Sequence, residues 1–285
     1  MGSPMAANVA RAGFNLWIYN RTKSKATSLA SEIGARVADT PAQVGANCDV
    51  LLTMISEANA LRALYFGPEG VAQSLRPNSL CVEMSTVGPS AIRQLGHSLK
   101  SIGAHLLDAP VSGSVATAKE AKLTMMVGGA HDDLESVRPI LSAMAARIFY
   151  LGPLGAGATM KLAVNAIVYG LNQALAEGLV LAESAGIARQ SAYDLFENSA
   201  IAAPFVHYRK EAFLKGREVP VAFSLDLARK DLDLIETLAR EVQASMPQTA
   251  VNRMTIESAL EQGRGREDVS AIAEYLRNSR AGRSQ

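Results

Sequence analysis

Gly152-Pro153-Leu154-Gly155-Ala156-Gly157-Ala158-Thr159-Met160-Lys161-Leu162-Ala163-Val164-Asn165 is the stretch in which the chain changes character. A glycine-rich turn runs into a long apolar segment. Lys161 and Asn165 stand one helical turn apart and share a face. No charge follows Lys161 until Glu177. An ammonium near a helix N-terminus opposes the positive end of the macrodipole, and apolar neighbours desolvate it. Both effects lower a lysine toward the range useful for proton transfer. Taken alone, Lys161 reads better as a surface lysine at a helix start. Its meaning depends on what flanks it.

Upstream of this stretch, short apolar runs alternate with helical segments. Leu16-Trp17-Ile18-Tyr19, residues 49–54, 80–84, 104–108, 123–127 and 147–151 read as strands. Helices are expected over residues 1–11, after Thr40-Pro41, up to Leu64 with Ser56 as a cap, from Pro89, and over 132–145. This alternation implies a parallel sheet with crossover helices. Ligands of such sheets bind beyond the carboxyl ends of the strands. Ser85, Thr86 and the loop from Asp108 to Thr117 lie at such ends.

The first nineteen residues read as helix, glycine, strand, with polar residues at the strand end. That is the second part of a dinucleotide-binding unit, with Gly2 as the third glycine of GxGxxG. The first strand and first two glycines are not in the sequence, so we expect about ten further residues upstream in the native protein. Without them the sheet would lack a central strand. Asn20-Arg21-Thr22 falls where the adenosine ribose would lie. A neutral residue followed by arginine favours the 2′-phosphate of NADP over the ribose hydroxyls of NAD. The plain alternative is a solvated turn. In Asp108-Ala109-Pro110-Val111-Ser112-Gly113-Ser114, small residues after a strand let backbone N–H groups and hydroxyls face an anion such as a substrate carboxylate. A tight loop is the other reading.

Downstream the pattern is helical throughout. Residues 156–185 are apolar on nearly all sides, which predicts a buried central helix. Further helices are expected over 191–198, 204–214, 224–242, 248–262 and 270–278, with a frayed polar tail from Asn278 to Gln285. The fold class is therefore α/β: a Rossmann-type parallel-sheet domain over residues 1–153, then an all-helical domain over 154–285 with a long central helix. Lys230-Asp231, on the 224–242 helix, reads by itself as a surface ion pair.

Composition narrows the function. Apolar residues make up 48% of 285, enough for a sizeable core, and the net charge of +1 argues against a general nucleic-acid binder. Cys48 and Cys81 belong to no CxxC or Cys/His cluster, so neither a disulfide framework nor a metal site is expected. The uncharged run from Leu162 to Ala176 is short and interrupted by Asn165, Asn172 and Gln173, which argues against a membrane span. With no basic flank and apolar run at the start, a cytoplasmic, reducing location is expected.

Together these stretches resemble the β-hydroxyacid dehydrogenase family, which contains 3-hydroxyisobutyrate dehydrogenase and tartronate semialdehyde reductase. The tail of the cofactor fingerprint, residues 108–113, Gly155-Ala156-Gly157 through Lys161 and Asn165, and Lys230-Asp231 occur in the family's order. The resemblance implies an NADP-dependent oxidoreductase, with NAD as the alternative cofactor, acting on a small β-hydroxy acid or its semialdehyde. It implies Lys161 as general acid/base and Asn165, Ser112 and Gly113 as substrate ligands. It implies Gly2, Asn20, Arg21, Thr22, Thr86 and Lys230 as cofactor contacts. The helical domain would carry the contacts of a homodimer or homotetramer. Ser114, Thr117 and Ala121 depart from positions that are commonly glycine in the family. A serine at 114 recurs in the glyoxylate/succinic semialdehyde reductase branch, which directs the expectation toward small aldehyde acids. Two other readings stay open: a non-catalytic cofactor- or partner-binding module on the same fold, and an imine reductase, where Lys161 would normally be another residue.

Overall fold

The computed structural model describes residues 1–281. It divides into two compact units, Met1–Leu162 and Ala163–Gln285. In the first, α1 (Gly2–Arg11), β1 (Trp17–Ile18), α2 (Lys23–Ile33), β2 (Arg36–Val37), α3 (Pro41–Asn47), β3 (Val50–Thr53) and α4 (Ala58–Phe66) follow one another. Then come β4 (Leu80–Glu83), α5 (Pro89–Lys100), β5 (His105–Asp108), β6 (Val111–Ser112), α6 (Val115–Lys119), β7 (Leu123–Val127), α7 (His131–Ser142) and β8 (Ala145–Tyr150). The helix α8 (Ala156–Ser184) begins in this unit and continues into the second. There α9 (Arg189–Phe196), α10 (Pro204–Lys215), α11 (Leu225–Glu241), α12 (Pro247–Glu261) and α13 (Ile272–Ala281) complete the fold.

Three small sheets form the first unit, ordered β1-β2, β3-β4-β5 and β6-β7-β8. The first two are parallel, as the alternation of elements requires. The third departs from expectation, because β6 pairs antiparallel with β7. Only the short α6 separates these two strands, and a reversal needs no crossover, whereas a parallel return does. Along β4, side chains alternate between two cores. Leu80, Val82 and Met84 pack with Met5, Leu107, Leu123 and Leu134; Cys81 packs with Leu51, Ile92, Leu95 and Leu99. Both faces are therefore covered, which is why β4 is buried at every position. A side chain as closed off as Leu107 contributes roughly 1.5–3 kcal/mol by leaving water.

Local signals account for many boundaries. Thr40 caps α3 by accepting from the Gln43 N–H, with Pro41 in the first turn. Gly34 closes α2 in the left-handed conformation. One expected cap is absent: α4 starts after Glu57, with no side-chain cap, and not at Ser56. The α2 helix and β2 strand follow the Asn20–Thr22 turn without a strong apolar period. In the second unit, α11 buries Leu225, Ala228, Leu232, Ile235 and Ala239 along one stripe. The chain from Asn278 to Ala281 continues α13, where fraying was expected; residues 282–285 lie outside the described residues.

The helix α8 is not buried all round. Ile167 and Leu181 are 74% and 72% exposed, and Met160 is also exposed. These three and Ala174 recur at a seven-residue interval and mark one open apolar face. The opposite face buries Leu162, Asn165, Tyr169, Asn172, Leu175, Ala176 and Leu179. By length and mean hydropathy this helix could cross a bilayer, which the uncharged run alone did not suggest. Several of its buried polar side chains nevertheless bond within the fold as in a core helix: Asn172 donates to the Val269 carbonyl, and Asn165 and Tyr169 donate to Asp231.

Candidate active site

The glycine-rich stretch is built around a carboxylate of the chain itself. Asp108, at the carboxyl end of β5, is fully buried. Its Oδ1 accepts from the Gly155 N–H at 2.8 Å and its Oδ2 from the Ala158 N–H at 2.6 Å. These are donors that the first turn of α8 cannot satisfy internally. Close approach is what the glycines permit. A Cβ on Gly157 would sit 2.2 Å from the Met126 carbonyl oxygen, and one on Gly128 would sit 2.6 Å from Asp108 Oδ1. Gly155 adopts φ +95°. Burial pushes the Asp108 carboxyl above its ordinary range, and the N–H groups of Gly155, Ala158 and Gly157 act against that. Lys161, half-buried, lies in the second turn of α8, just beyond this anchor.

Beyond Asp108 the loop reverses through β6, where Ser112 pairs with Thr124 of β7. Ser112 is half-buried and Gly113 is exposed, with φ +144°. A Cβ at Gly113 would meet Thr117 Oγ1 at 2.7 Å and Leu123 at 2.8 Å, so a side chain there would have to displace these two and adopt a strained φ. Two of the three departures from glycine have a structural explanation, and that at Ala121 has none. Ser114 and Thr117 form a reciprocal capping box at the start of α6. Ala121 adopts φ +57°, the left-handed region where glycine is least strained.

At the end of the neighbouring strand, Glu83 is fully buried. Its carboxylate accepts from the Ser85 N–H at 2.8 Å and from the Thr53 hydroxyl. Ser85 Oγ in turn accepts from the Ile55 N–H at 2.8 Å. The loops after β3 and β4 are thereby tied together, and Thr86, half-buried, is presented beside them. Burial pushes Glu83 up to about 7, against the hydrogen bonds from Ser85 and Thr53, while the charge of Asp108 adds to the rise.

Asn20, Arg21 and Thr22 form an exposed turn at the carboxyl end of β1, where Asn20 Oδ1 accepts from the Thr22 N–H at 2.9 Å. Arg21 makes no salt bridge among the described residues, unlike nearby Lys23, which pairs with Asp39. Gly2 opens α1 half-buried, and a Cβ there would lie 3.7 Å from Met54 Cβ, an ordinary contact. Packing at this point therefore leaves room for a side chain.

In the second unit, Asn165 donates from Nδ2 to Asp231 Oδ2 at 2.8 Å, and the Tyr169 hydroxyl donates to the same oxygen at 2.7 Å. Lys230 Nζ lies 2.9 Å from Asp231 Oδ1, at ion-pair distance but without hydrogen-bond alignment. Lys230 is half-buried, so the reading of an exposed surface pair does not describe it. Sequence reasoning singled out Asn165, Lys230 and Thr86 but missed Asp231 and Tyr169 as supports around Asn165 and Lys230, and Glu83 and Thr53 as ties beside Thr86. The one available signal was an acid directly after Lys230; nothing local marks Glu83.

Residues 1–152 match the family model described as the NAD binding domain of 6-phosphogluconate dehydrogenase. Residues 155–276 match the one described as NAD-binding of NADP-dependent 3-hydroxyisobutyrate dehydrogenase. The chain belongs to the β-hydroxyacid dehydrogenase family. It is 32% identical over 281 residues to glyoxylate/succinic semialdehyde reductase 2, chloroplastic, of Arabidopsis thaliana, covering 99% of this chain and 78% of that one. It is 30% identical over 273 residues to 2-(hydroxymethyl)glutarate dehydrogenase of Eubacterium barkeri, covering 95% and 90%. A 3-hydroxyisobutyrate dehydrogenase crystal structure from Salmonella typhimurium superposes with a TM-score of 0.89 at 26% identity, over 96% of this chain and 95% of that one. As a β-hydroxyacid dehydrogenase, the protein is an NAD(P)-dependent oxidoreductase with a Rossmann-like unit followed by a helical one.

Proposed function

We propose that this dehydrogenase reduces a small aldehyde acid, of the glyoxylate or succinic semialdehyde kind, to its hydroxy acid, with NADPH as the preferred cofactor. One observation carries the reading: a half-buried lysine, Lys161, stands one turn before a buried amide, Asn165, on a helix whose first turn is clamped by Asp108. A bound nicotinamide supplies the hydride. The chain supplies the rest. Protonated Lys161 donates its proton to the carbonyl oxygen as negative charge develops there, a contribution of about a hundredfold to ten-thousandfold. In the reverse direction neutral Lys161 takes the hydroxyl proton. Asn165 hydrogen-bonds the substrate and orients it. Ser112 and Gly113 receive its carboxylate. Two Arabidopsis relatives that are 32% identical are named glyoxylate/succinic semialdehyde reductases, which supports this substrate class.

The cofactor preference rests on the turn after β1. Arg21 is exposed and committed to no carboxylate among the described residues, so its guanidinium fits a 2′-phosphate. Asn20 and Thr22 complete that turn, Thr86 is assigned to the nicotinamide ribose, and Lys230 to the nicotinamide side. Gly2 belongs to the helix start over which the pyrophosphate would lie.

The open face of α8 through Met160, Ile167 and Leu181 supports a further part of the reading, a homodimer formed along this helix. Light scattering of an Ile167→Glu, Leu181→Glu variant should give a monomer if the stripe is the interface, and an unchanged mass if it is not.

The decisive experiment follows NADPH and NADH oxidation with glyoxylate, succinic semialdehyde, tartronate semialdehyde and methylmalonate semialdehyde. Turnover with at least one of them, faster with NADPH, supports the reading. Cofactor binding without turnover of any of them would favour a binding module instead.

A further inference from the structure

Thr117, one of the departures from glycine, turns its hydroxyl inward against the loop that precedes it. Oγ1 donates to the Ser114 carbonyl at 2.8 Å and accepts from the Ser114 N–H at 2.5 Å. Ser114 Oγ accepts in return from the Thr117 N–H at 3.2 Å. The same hydroxyl lies against Gly113, where a Cβ would sit 2.7 Å from it. One side chain therefore touches both residues that follow Ser112.

A count of the donors in this loop shows what is left for a ligand. The Met126 N–H donates to the Pro110 carbonyl at 3.0 Å, and hydrogen-bonded pairs alternate along an antiparallel ladder, so the Ser112 N–H is turned to Thr124 of β7. The Ser114 N–H is held by Thr117. The Gly113 N–H and the Ser112 hydroxyl donate to no group among the described residues. They are adjacent, and they are donors only of neutral kind, as a carboxylate accepts. The choice of threonine matters too. A capping box is ordinarily closed by Glu or Gln three residues after the cap. A glutamate at this place would set a negative charge beside Gly113 and oppose an anion there, whereas threonine closes the box without charge.

We propose that Thr117 is a positioning residue for the substrate carboxylate. Acting through Ser114 and Gly113, it holds the Gly113 N–H and the Ser112 hydroxyl as the pair that receives the anion. This rests on the reading of Ser112 and Gly113 as the carboxylate seat. The carboxylate is charged alike in the aldehyde acid, the transition state and the product, so a displaced seat weakens all three equally. Such a loss raises KM and leaves kcat in place.

Steady-state kinetics of the full chain, with NADPH and whichever of glyoxylate and succinic semialdehyde is turned over faster, test this. Thr117→Val keeps the shape and removes the hydroxyl. Its KM for the aldehyde acid should rise about fivefold to thirtyfold, with kcat and the KM for NADPH within about twofold of wild type. Thr117→Ser keeps the hydroxyl and should bring KM back to within about threefold of wild type. If Thr117→Val does not accumulate as folded protein, Thr117→Ala carries the same comparison. An unchanged KM in the valine variant, an equal loss in kcat or in NADPH affinity, or a serine variant as impaired as the valine one would each overturn the inference. Ser112→Ala, measured alongside, separates it from the reading beneath it. A raised KM in Ser112→Ala but not in Thr117→Val refutes the inference alone. A raised KM in neither refutes the carboxylate seat and the inference with it, and an inactive wild type refutes the proposed function as a whole.

Discussion

Glu83 allows the sharpest test of how the first unit is held together. Its carboxyl is enclosed at the end of β4 and is pushed from 4.5 to about 7, chiefly by burial. A raised carboxylic pKa means that the folded state binds the proton more tightly than the unfolded state does. The associated stability is fully present below about 4.5 and is lost as pH rises through about 7. Each unit is worth about 1.4 kcal/mol, so the full cost at alkaline pH is on the order of 3 kcal/mol. Glu83→Gln removes the titration while keeping the shape. The amide oxygen can still accept from the Ser85 N–H. The amide NH2 can donate to Thr53 Oγ1, whose own hydrogen has the Val82 carbonyl at 3.4 Å as an acceptor. Urea unfolding of both proteins between pH 4.5 and pH 8 measures the difference, with the other titrating groups cancelling. The variant should gain on the wild type by about 3 kcal/mol across that window. A difference that stays constant with pH would refute the argument and mean that Glu83 keeps an ordinary carboxylate pKa. The same change bears on function, because Thr86 follows directly on the Glu83–Ser85–Ile55 ties.

Three further outcomes are expected. Lys161→Ala should lower kcat by at least about a hundredfold while NADPH affinity, measured by fluorescence titration, changes by less than about threefold; comparable turnover would remove Lys161 from the role of acid. Asp108→Asn keeps one acceptor oxygen but sets an NH2 against either the Gly155 or the Ala158 N–H, so denaturation should register a loss of about 1–3 kcal/mol, and unchanged stability would show that the cap is dispensable. Ala121→Gly should stabilise by about 1 kcal/mol, since the backbone there is left-handed and glycine adopts it without strain; a loss of stability would mean that unfolded-state entropy outweighs the relief.

The readings that succeeded from sequence rest on short-range physics. Strand and helix periods, Pro41 and Pro89 at helix starts and the one-turn spacing of Lys161 and Asn165 are properties of neighbouring residues. They were enough to find the parallel strands β3, β4 and β5, the long α8 and the family. Readings that needed a partner at a distance failed or stayed silent. The expected cap at Ser56 did not form. The sheet order did not show that β6 turns back against β7. The apolar composition of α8 could not reveal that Ile167 and Leu181 face outward while Asn165 and Asn172 face in. Composition counts residues, whereas burial depends on which neighbours arrive.

By itself, then, the sequence determined the class of architecture and the family, and it offered Lys161, Asn165, Ser112 and Lys230 as candidates for the chemistry. What surrounds those residues was decided only in three dimensions. Asp108 reaches its partners at the start of α8, Gly155 and Ala158, across 47 and 50 residues, Glu83 reaches Thr53 across 30, and Asp231 reaches Asn165 across 66. A carboxylate can be recognised in a sequence, but what it does depends on which donors meet it after it has left water. That choice is made by the packing of elements far apart in the chain, because a charge is stable in the interior only where the fold has brought such donors to it.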